Sequence, residues 1–211
     1  MSEHPCDRAY NKISGWRRQA PERNGKFLPR NAIIDDKIIY DKSSVDAITT
    51  CRCQRCAKHR RLLTPQSEQR RDPRQYSDRI IDEYRSLFAL LIWQKKPALV
   101  LPFVEHGVSD KDVLVHLSAG ALGEDFYVLQ NFRENLLAAG ETDLLTELID
   151  GIESNWTDFL RPYIGERPFT KISPRCRLPF YDQHQIGKGG SSNVLAFKIY
   201  DGYNEIQVCR R

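Results

Sequence analysis

Three cysteines and a histidine lie within one short stretch of this sequence, at Cys51, Cys53, Cys56 and His59. Three thiolates and one imidazole would supply the four ligands that a tetrahedral zinc ion takes. The spacing argues against such a site, because structural zinc sites usually draw two ligand couples from separate segments and no second couple follows here. We therefore predict reduced thiols and no bound metal at this cluster, and keep zinc at these four residues as the alternative.

A second stretch combines glycine and serine in a pattern suited to holding an anion. Glycine lets the backbone turn tightly and bring its N–H groups close to phosphate oxygens. The valine that follows could present an apolar side chain to a base. The candidate nucleotide-binding residues are Ile186, Gly187, Lys188, Gly189, Gly190, Ser191, Ser192 and Val194, with Asn193 between the last two.

Strands are the elements predicted to position this glycine-rich run. Residues 183–187 and 194–200 are the predicted strands on either side of it, and an Asp-Gly turn at 201–202 leads to a third over 205–209. A strand, a glycine-rich turn and a second strand form the arrangement of the nucleotide loop of protein kinases. A dinucleotide-binding fold would instead place a helix after the turn.

From Leu178 onward the sequence LPFYDQHQIGKGGSSNVLAFKIYDGYNEI resembles the start of protein kinase domains found in filamentous fungi. In those domains an LPF-type lead-in precedes a loop of the form IGxGGxGxV. The resemblance implies that the loop covers the phosphates of ATP, bound with magnesium, and that Ile186 and Val194 contact adenine. Ser192 replaces the third glycine of the family. The CxCxxC cluster and the helix through Phe88 also resemble the N-terminal part of the same fungal kinases.

Other elements of the family are missing from these 211 residues. Residues 206–210 contain no lysine for the third strand, and Lys198 lies on the second predicted strand, too close to the loop. The sequence contains neither an HRD-type loop nor a DFG-type metal site. We therefore expect a truncated kinase fragment that transfers no phosphoryl group, and we assign no catalytic residue.

The middle of the chain has the apolar periodicity of helices. Residues 80–92 and 144–160 each repeat a stripe at i, i+3, i+4 and i+7, which predicts two long helices around a shared core. We interpret residues 75–165 as a small all-α module. The predicted fold class is α+β: this helical module followed by a short β-hairpin resembling the beginning of a kinase N-lobe.

The remaining segments complete the predicted domain organisation. Residues 1–30 are a flexible basic arm, residues 31–74 an extended segment with the cysteine cluster and a basic linker, residues 166–179 a connector, and residues 180–211 a partial kinase domain. The arginines at 60, 61, 70, 71 and 74 lack interleaved aromatic residues. We interpret them as a solvated linker, and not as a nucleic-acid surface.

Composition excludes several classes of protein. The mean hydropathy is −0.55, and no apolar run approaches the roughly 18 residues of a membrane span. Residues 1–30 lack the apolar core of a secretory signal, so we expect an intracellular protein, cytoplasmic or nuclear. The predicted partners are ATP and proteins that bind the helical module. The alternative functions are a helical protein-interaction module and a zinc-clipped basic nucleic-acid binder.

Overall fold

The computed structural model describes residues 3–19, 37–63, 73–119, 127–160, 180–188 and 193–199. Helices dominate these residues. They are α1 Pro5–Gln19, α2 Lys37–Tyr40, α3 Lys42–Thr49, α4 Gln54–Leu63, α5 Ser77–Glu83, α6 Arg85–Trp93, α7 Val100–His106, α8 Asp110–Ala119, α9 Tyr127–Ala138 and α10 Thr142–Phe159. Short 3-10 turns occupy Pro73–Tyr76 and Pro97–Leu99. The strands are β1 Phe180–Lys188 and β2 Asn193–Ile199.

Helix α6 lies at the centre of the helical body. Its residues 87–92 read LFALLI, and all six are fully buried. A helix that is apolar on every side must be covered on every side. Helices α1 and α10 pack against it, and α5, α7 and α8 contact it as well. The burial of α6 is therefore the main organising feature of this body.

The first long helix predicted from periodicity is divided in two. Helix α5 ends at Glu83, and Tyr84 leaves the helical region, with φ −126° and ψ 19°, before α6 begins. The break frees backbone N–H groups at the start of α6. The carboxylate of Asp110, in the first turn of α8, accepts hydrogen bonds from Ser86 N at 2.7 Å and Leu87 N at 2.8 Å. A side chain distant in sequence thus stabilises the break.

The second long helix is confirmed as α10, which buries Leu144, Leu148, Ile152, Trp156 and Phe159 along one face. Gly151 lies inside this helix, where glycine costs about 1 kcal/mol relative to alanine. A Cβ at this position would lie 2.8 Å from the amide carbon of Gln94. The glycine therefore leaves room for the side-chain amide of Gln94 against α10.

The prediction of a flexible arm over residues 1–30 is wrong for residues 5–19, which form α1. Cys6, Ala9 and Ile13 are buried at helical spacing, and Tyr10 stacks on Trp93 with ring centroids 5.6 Å apart. The charged residues of this segment obscured that stripe. Residues 20–30 lie outside the described residues.

The predicted extended segment over residues 31–74 is likewise corrected, because residues 37–63 form α2, α3 and α4. Ile39, Val45, Ile48 and Cys56 are buried in the same core as α6. The helical body therefore begins well before residue 75. Residues 64–72, which hold most of the predicted linker, and the connector at 166–179 lie outside the described residues.

The hairpin is described separately from the helical body. Strands β1 and β2 pair antiparallel, from Phe180 opposite Ile199 to Lys188 opposite Asn193. The pairing register shifts between Tyr181 and His184 and again between Gln185 and Gly187. Helices together with a small antiparallel sheet confirm the coarse α+β class. The predicted third strand lies outside the described residues.

Among the helices of the described segments, none has both the length and the apolar character needed to cross a bilayer.

Candidate functional site

The predicted nucleotide-binding residues lie at and between the ends of the two strands. Ile186, Gly187 and Lys188 end β1, while Val194 is the second residue of β2. Gly187 pairs with Val194. Residues 189–192 lie outside the described residues, so the hairpin brackets the predicted phosphate loop on both sides.

The backbone of β1 is irregular just before the loop. The register shift between Gln185 and Gly187 places Ile186 at a bulge, which bends a strand and increases its twist. The side-chain amide of Gln185 donates to the carbonyl oxygen of Gly187 at 3.2 Å. Ile186 is 63% exposed. This end of the hairpin thus presents an apolar side chain beside a glycine-rich turn, an arrangement able to bind a ligand.

A second site lies in the helical body, where four cysteines meet. The Sγ atoms of Cys6, Cys51, Cys53 and Cys56 all lie within 4.8 Å of one another. Cys6 Sγ is 3.5 Å from Cys51 Sγ and 3.6 Å from Cys53 Sγ. We call these four residues the thiol cluster. It joins the first turn of α1 to the segment that connects α3 to α4, through Cys51 and Cys53, and to the first turn of α4, through Cys56.

Backbone contacts fix the shape of that connecting segment. Asp41 is the N-cap of helix α3, and its carboxylate accepts a hydrogen bond from Ser43 N at 3.1 Å. The helix ends at Thr49. The guanidinium of Arg60 donates to the carbonyl oxygen of Thr49 at 2.8 Å and to that of Cys51 at 2.6 Å. Arg60 therefore holds the C-terminal end of α3 and the start of the thiol segment together. It belongs to α4 and not to a solvated linker.

Arg60→Met is expected to lower the free energy of unfolding by about 1.5–3 kcal/mol. The substitution keeps much of the aliphatic length of the side chain. It removes two charge-assisted hydrogen bonds to backbone carbonyl oxygens. Arg61→Met, on the exposed side of the same helix, is the matched control and should change stability by less than about 0.5 kcal/mol. Urea denaturation of both variants measures the difference. Equal stabilities of the two variants would contradict the role assigned to Arg60.

The thiols differ strongly in their tendency to ionise. Hydrogen bonds from Cys56, Cys51 and Cys53 lower the pKa of Cys6 to about 5, against the opposing effect of burial. Burial raises the pKa of Cys51. The hydrogen bond to Cys6, together with burial, raises the pKa of Cys56. The pKa of Cys6 is thus lowered within the cluster, while the pKa values of Cys51 and Cys56 are raised.

The positively charged side chain of Arg55, in α4, lies beside the thiol cluster. One terminal nitrogen of Arg55 lies 3.5 Å from Cys6 Sγ and 2.7 Å from a carboxylate oxygen of Asp7. The N–H of Cys56 also donates to Cys53 Sγ at 3.4 Å. Positive charge and backbone N–H groups directed at sulfur stabilise thiolates. These contacts favour negative charge at Cys6, while burial and the nearby carboxylate of Asp7 oppose it.

The structure brings together three of the four residues of the alternative zinc set, namely Cys51, Cys53 and Cys56, with Cys6 as a further thiol. His59 is not among the residues grouped within 4.8 Å, and Cys6 occurs in its place. The His59 side chain is buried, its Nδ1 has no hydrogen-bond partner, and burial lowers its pKa to about 4. The only sequence signal for Cys6 was its spacing with Ala9 and Ile13 on α1. Cys176 and Cys209 lie outside the described residues.

Comparisons of this chain with protein-family models, with curated proteins and with solved structures find no match. Neither the resemblance to kinases nor any alternative function gains support from a relative. The hairpin and the thiol cluster are therefore the two features from which function can be inferred.

Proposed function

We propose that this chain carries the beginning of a protein kinase domain, with β1 and β2 as the two strands that flank the phosphate loop of ATP. The observation that supports this proposal is the antiparallel pairing of Gly187 with Val194 on either side of the glycine-rich run. A kinase nucleotide loop requires strands on both sides of its glycines, and a helix after the turn would have opposed the proposal.

Each part of the hairpin then has a role in binding. The backbone N–H groups of Gly189 to Ser192 would donate to phosphate oxygens, which glycine permits because no Cβ blocks the approach. By the resemblance, Ile186, which is exposed before the turn, and Val194 would contact adenine from the side of the hairpin. The resemblance suggests ATP with magnesium as the ligand. The chain's own residues would bind and orient the nucleotide.

Residues 1–211 are expected to bind ATP no more tightly than about 1 mM, which corresponds to roughly −4 kcal/mol. A few neutral hydrogen bonds compete with water at about 0.5–1.5 kcal/mol each, and ordering the glycines opposes them. The third-strand lysine and the metal-binding carboxylate that strengthen binding in kinases do not occur in this sequence. We also expect no phosphoryl transfer by these residues alone.

Hydrogen exchange of residues 186–194 with about 10 mM Mg-ATP tests the proposal, and slower exchange is expected. Gly190→Asp should abolish the protection, because the carboxylate repels phosphate. Gly140→Asp adds the same charge at a left-handed turn of the helical body, where φ is +71° and aspartate is less strained than most residues, and should leave the protection intact. Absence of protection in the unmodified chain, or protection that survives Gly190→Asp, would contradict the proposal.

The two alternative functions gain no comparable observation. In the described part of the helical body the large exposed apolar side chains are Val115 and Leu137, and single exposed residues of this kind are normal on any protein. Within the basic stretch, Arg60 donates its hydrogen bonds to backbone carbonyl oxygens. Its guanidinium is therefore not positioned to contact phosphate. We therefore propose neither a docking surface nor a nucleic-acid site.

A further inference from the structure

We propose that Cys6, Cys51, Cys53 and Cys56 bind one structural zinc ion, which joins α1 to the segment between α3 and α4. This site lies outside the hairpin and does not depend on the proposed kinase function. It also differs from the ligand set suggested by sequence spacing, because the fourth ligand comes from another helix.

The distances between the sulfur atoms suit a single ion. Zinc–sulfur bonds of about 2.3 Å in a tetrahedron place the sulfurs about 3.8 Å apart. The cluster has sulfur separations of 3.5 Å and 3.6 Å for Cys6 with Cys51 and with Cys53, and all four sulfurs lie within 4.8 Å. A disulfide needs about 2.05 Å, so none of these contacts is a bond. A cluster of several iron atoms would hold its ligand sulfurs farther apart.

The composition of the cluster selects zinc among the common metals. Four sulfur ligands favour zinc or an iron–sulfur centre, whereas calcium and magnesium require oxygen ligands, and the short sulfur separations favour a single ion. Four protein ligands also leave no open coordination position, which is typical of a structural site and not of a catalytic one. The inferred role is therefore mechanical.

Charge at the cluster supports the same conclusion. Cys6, Cys51 and Cys56 are all at least 96% buried. The four thiolates that a zinc ion requires would repel one another at such short separations, and the ion between them would offset that repulsion. Zinc with four thiolates carries a net charge of −2. The guanidinium of Arg55, 3.5 Å from Cys6 Sγ, offsets part of that charge, and the N–H of Cys56 donates to Cys53 Sγ.

The position of the cluster explains what the ion would do. Cys6 and Cys51 are separated by 45 positions in sequence, so one ion would close a long loop of chain. Helix α1 contributes Ala9 and Ile13 to the core, and Tyr10 stacks on Trp93. Zinc binding at its first turn adds free energy to that packing, because the unfolded chain has no preformed site.

Elemental analysis of the full chain, purified with zinc and without chelator, is the first test. We expect one zinc per chain and no visible absorption. Cobalt(II) in place of zinc should give the strong visible bands of a tetrahedral thiolate site, a signature that requires no variant. Chelation should lower the melting temperature by about 5–10 °C, reversibly on return of zinc.

Variants identify the ligands. Cys6→Ser should lose most of the bound zinc, whereas the matched change Cys176→Ser should keep it. His59→Gln should also keep one zinc per chain. If Cys6→Ser fails to fold, the cobalt spectrum of the unmodified chain still decides whether a tetrahedral thiolate site exists. Absence of zinc and of cobalt bands, iron in place of zinc, undiminished zinc in folded Cys6→Ser, or loss of zinc in His59→Gln would each overturn the proposed site.

Discussion

Leu91→Ala is expected to lower the free energy of unfolding by about 2–5 kcal/mol, while Leu137→Ala changes it by less than about 0.5 kcal/mol. The chemical change is identical in the two variants. Leu91 is fully buried in α6, at the centre of the helical body, whereas Leu137 in α9 is 52% exposed. Truncation of Leu91 removes buried apolar surface and leaves a cavity that the surrounding helices can fill only in part.

Urea denaturation followed by circular dichroism measures both free energies under the same conditions, with zinc held constant. The transition of Leu91→Ala should move to lower urea with little change in slope, because the same surface is exposed on unfolding. Similar free energies for the two variants would show that α6 is not the core of this body. A loss confined to Leu137→Ala would contradict the assigned burial of both residues.

The apolar residues of this core could be predicted from sequence better than the helices that carry them. The spacing of Ile80, Tyr84, Leu87 and Leu91 identified buried positions, and all four are fully buried. The same spacing suggested one continuous helix, since periodicity does not register the break at Tyr84. That break depends on Asp110, whose carboxylate reaches the start of α6 from 23 residues away. Local patterns contain no signal for such a contact.

The thiol cluster shows the same limit at a site. Three of its members lie close in sequence, so their proximity was evident from the spacing Cys51, Cys53 and Cys56. The fourth member depends on how α1 docks. Cys6 reaches the cluster because Ala9 and Ile13, on the same helical face, are buried in the core. A stripe of three small or medium residues among many charged ones is a weak signal, and the prediction of a flexible arm missed it.

The hairpin was easier to predict because its determinants are local. A glycine-rich turn between two short segments, the second of them rich in apolar residues, favours two antiparallel strands that are adjacent in sequence. The observed strands differ from the predicted ones by a few residues at their ends. The function of the hairpin is harder to predict, since binding of ATP also depends on groups outside the hairpin.

The free energy of unfolding of Asp110→Asn, relative to that of the unmodified chain, is expected to increase as the pH rises from about 4 to 7. The Asp110 carboxylate accepts from Ser86 N and Leu87 N, and these hydrogen bonds favour its ionised form. Burial opposes ionisation and has the larger effect, so the pKa of Asp110 rises from the ordinary 3.8 to about 6. The nearby charge of Arg85 only partly offsets that effect.

The raised pKa of Asp110 sets the sign of the pH dependence of stability. Between about pH 4 and pH 6 the folded state binds more protons at Asp110 than the unfolded state does, so stability decreases as the pH rises. The contribution of this group is complete below the ordinary pKa and is lost as the pH passes through about 6. Asparagine stays neutral throughout. The stability of Asp110→Asn relative to the unmodified chain should therefore increase by about 2–3 kcal/mol over this range.

Asp112→Asn is the matched control, because Asp112 lies in the same first turn of α8 but responds in the opposite direction. Hydrogen bonds from Ser109, whose Oγ lies 2.6 Å from Asp112 Oδ2, lower the pKa of Asp112 below its ordinary value. Its contribution to stability is present above that ordinary value and disappears only in stronger acid. Relative to the unmodified chain, Asp112→Asn should therefore show a nearly constant difference in unfolding free energy between pH 4.5 and 7, about the range over which Asp110→Asn changes.

Urea denaturation at successive pH values measures both differences, and any effect of zinc release cancels because all three proteins contain the thiol cluster. A constant difference for Asp110→Asn would mean that the two hydrogen bonds outweigh burial and that Asp110 is ionised throughout this range.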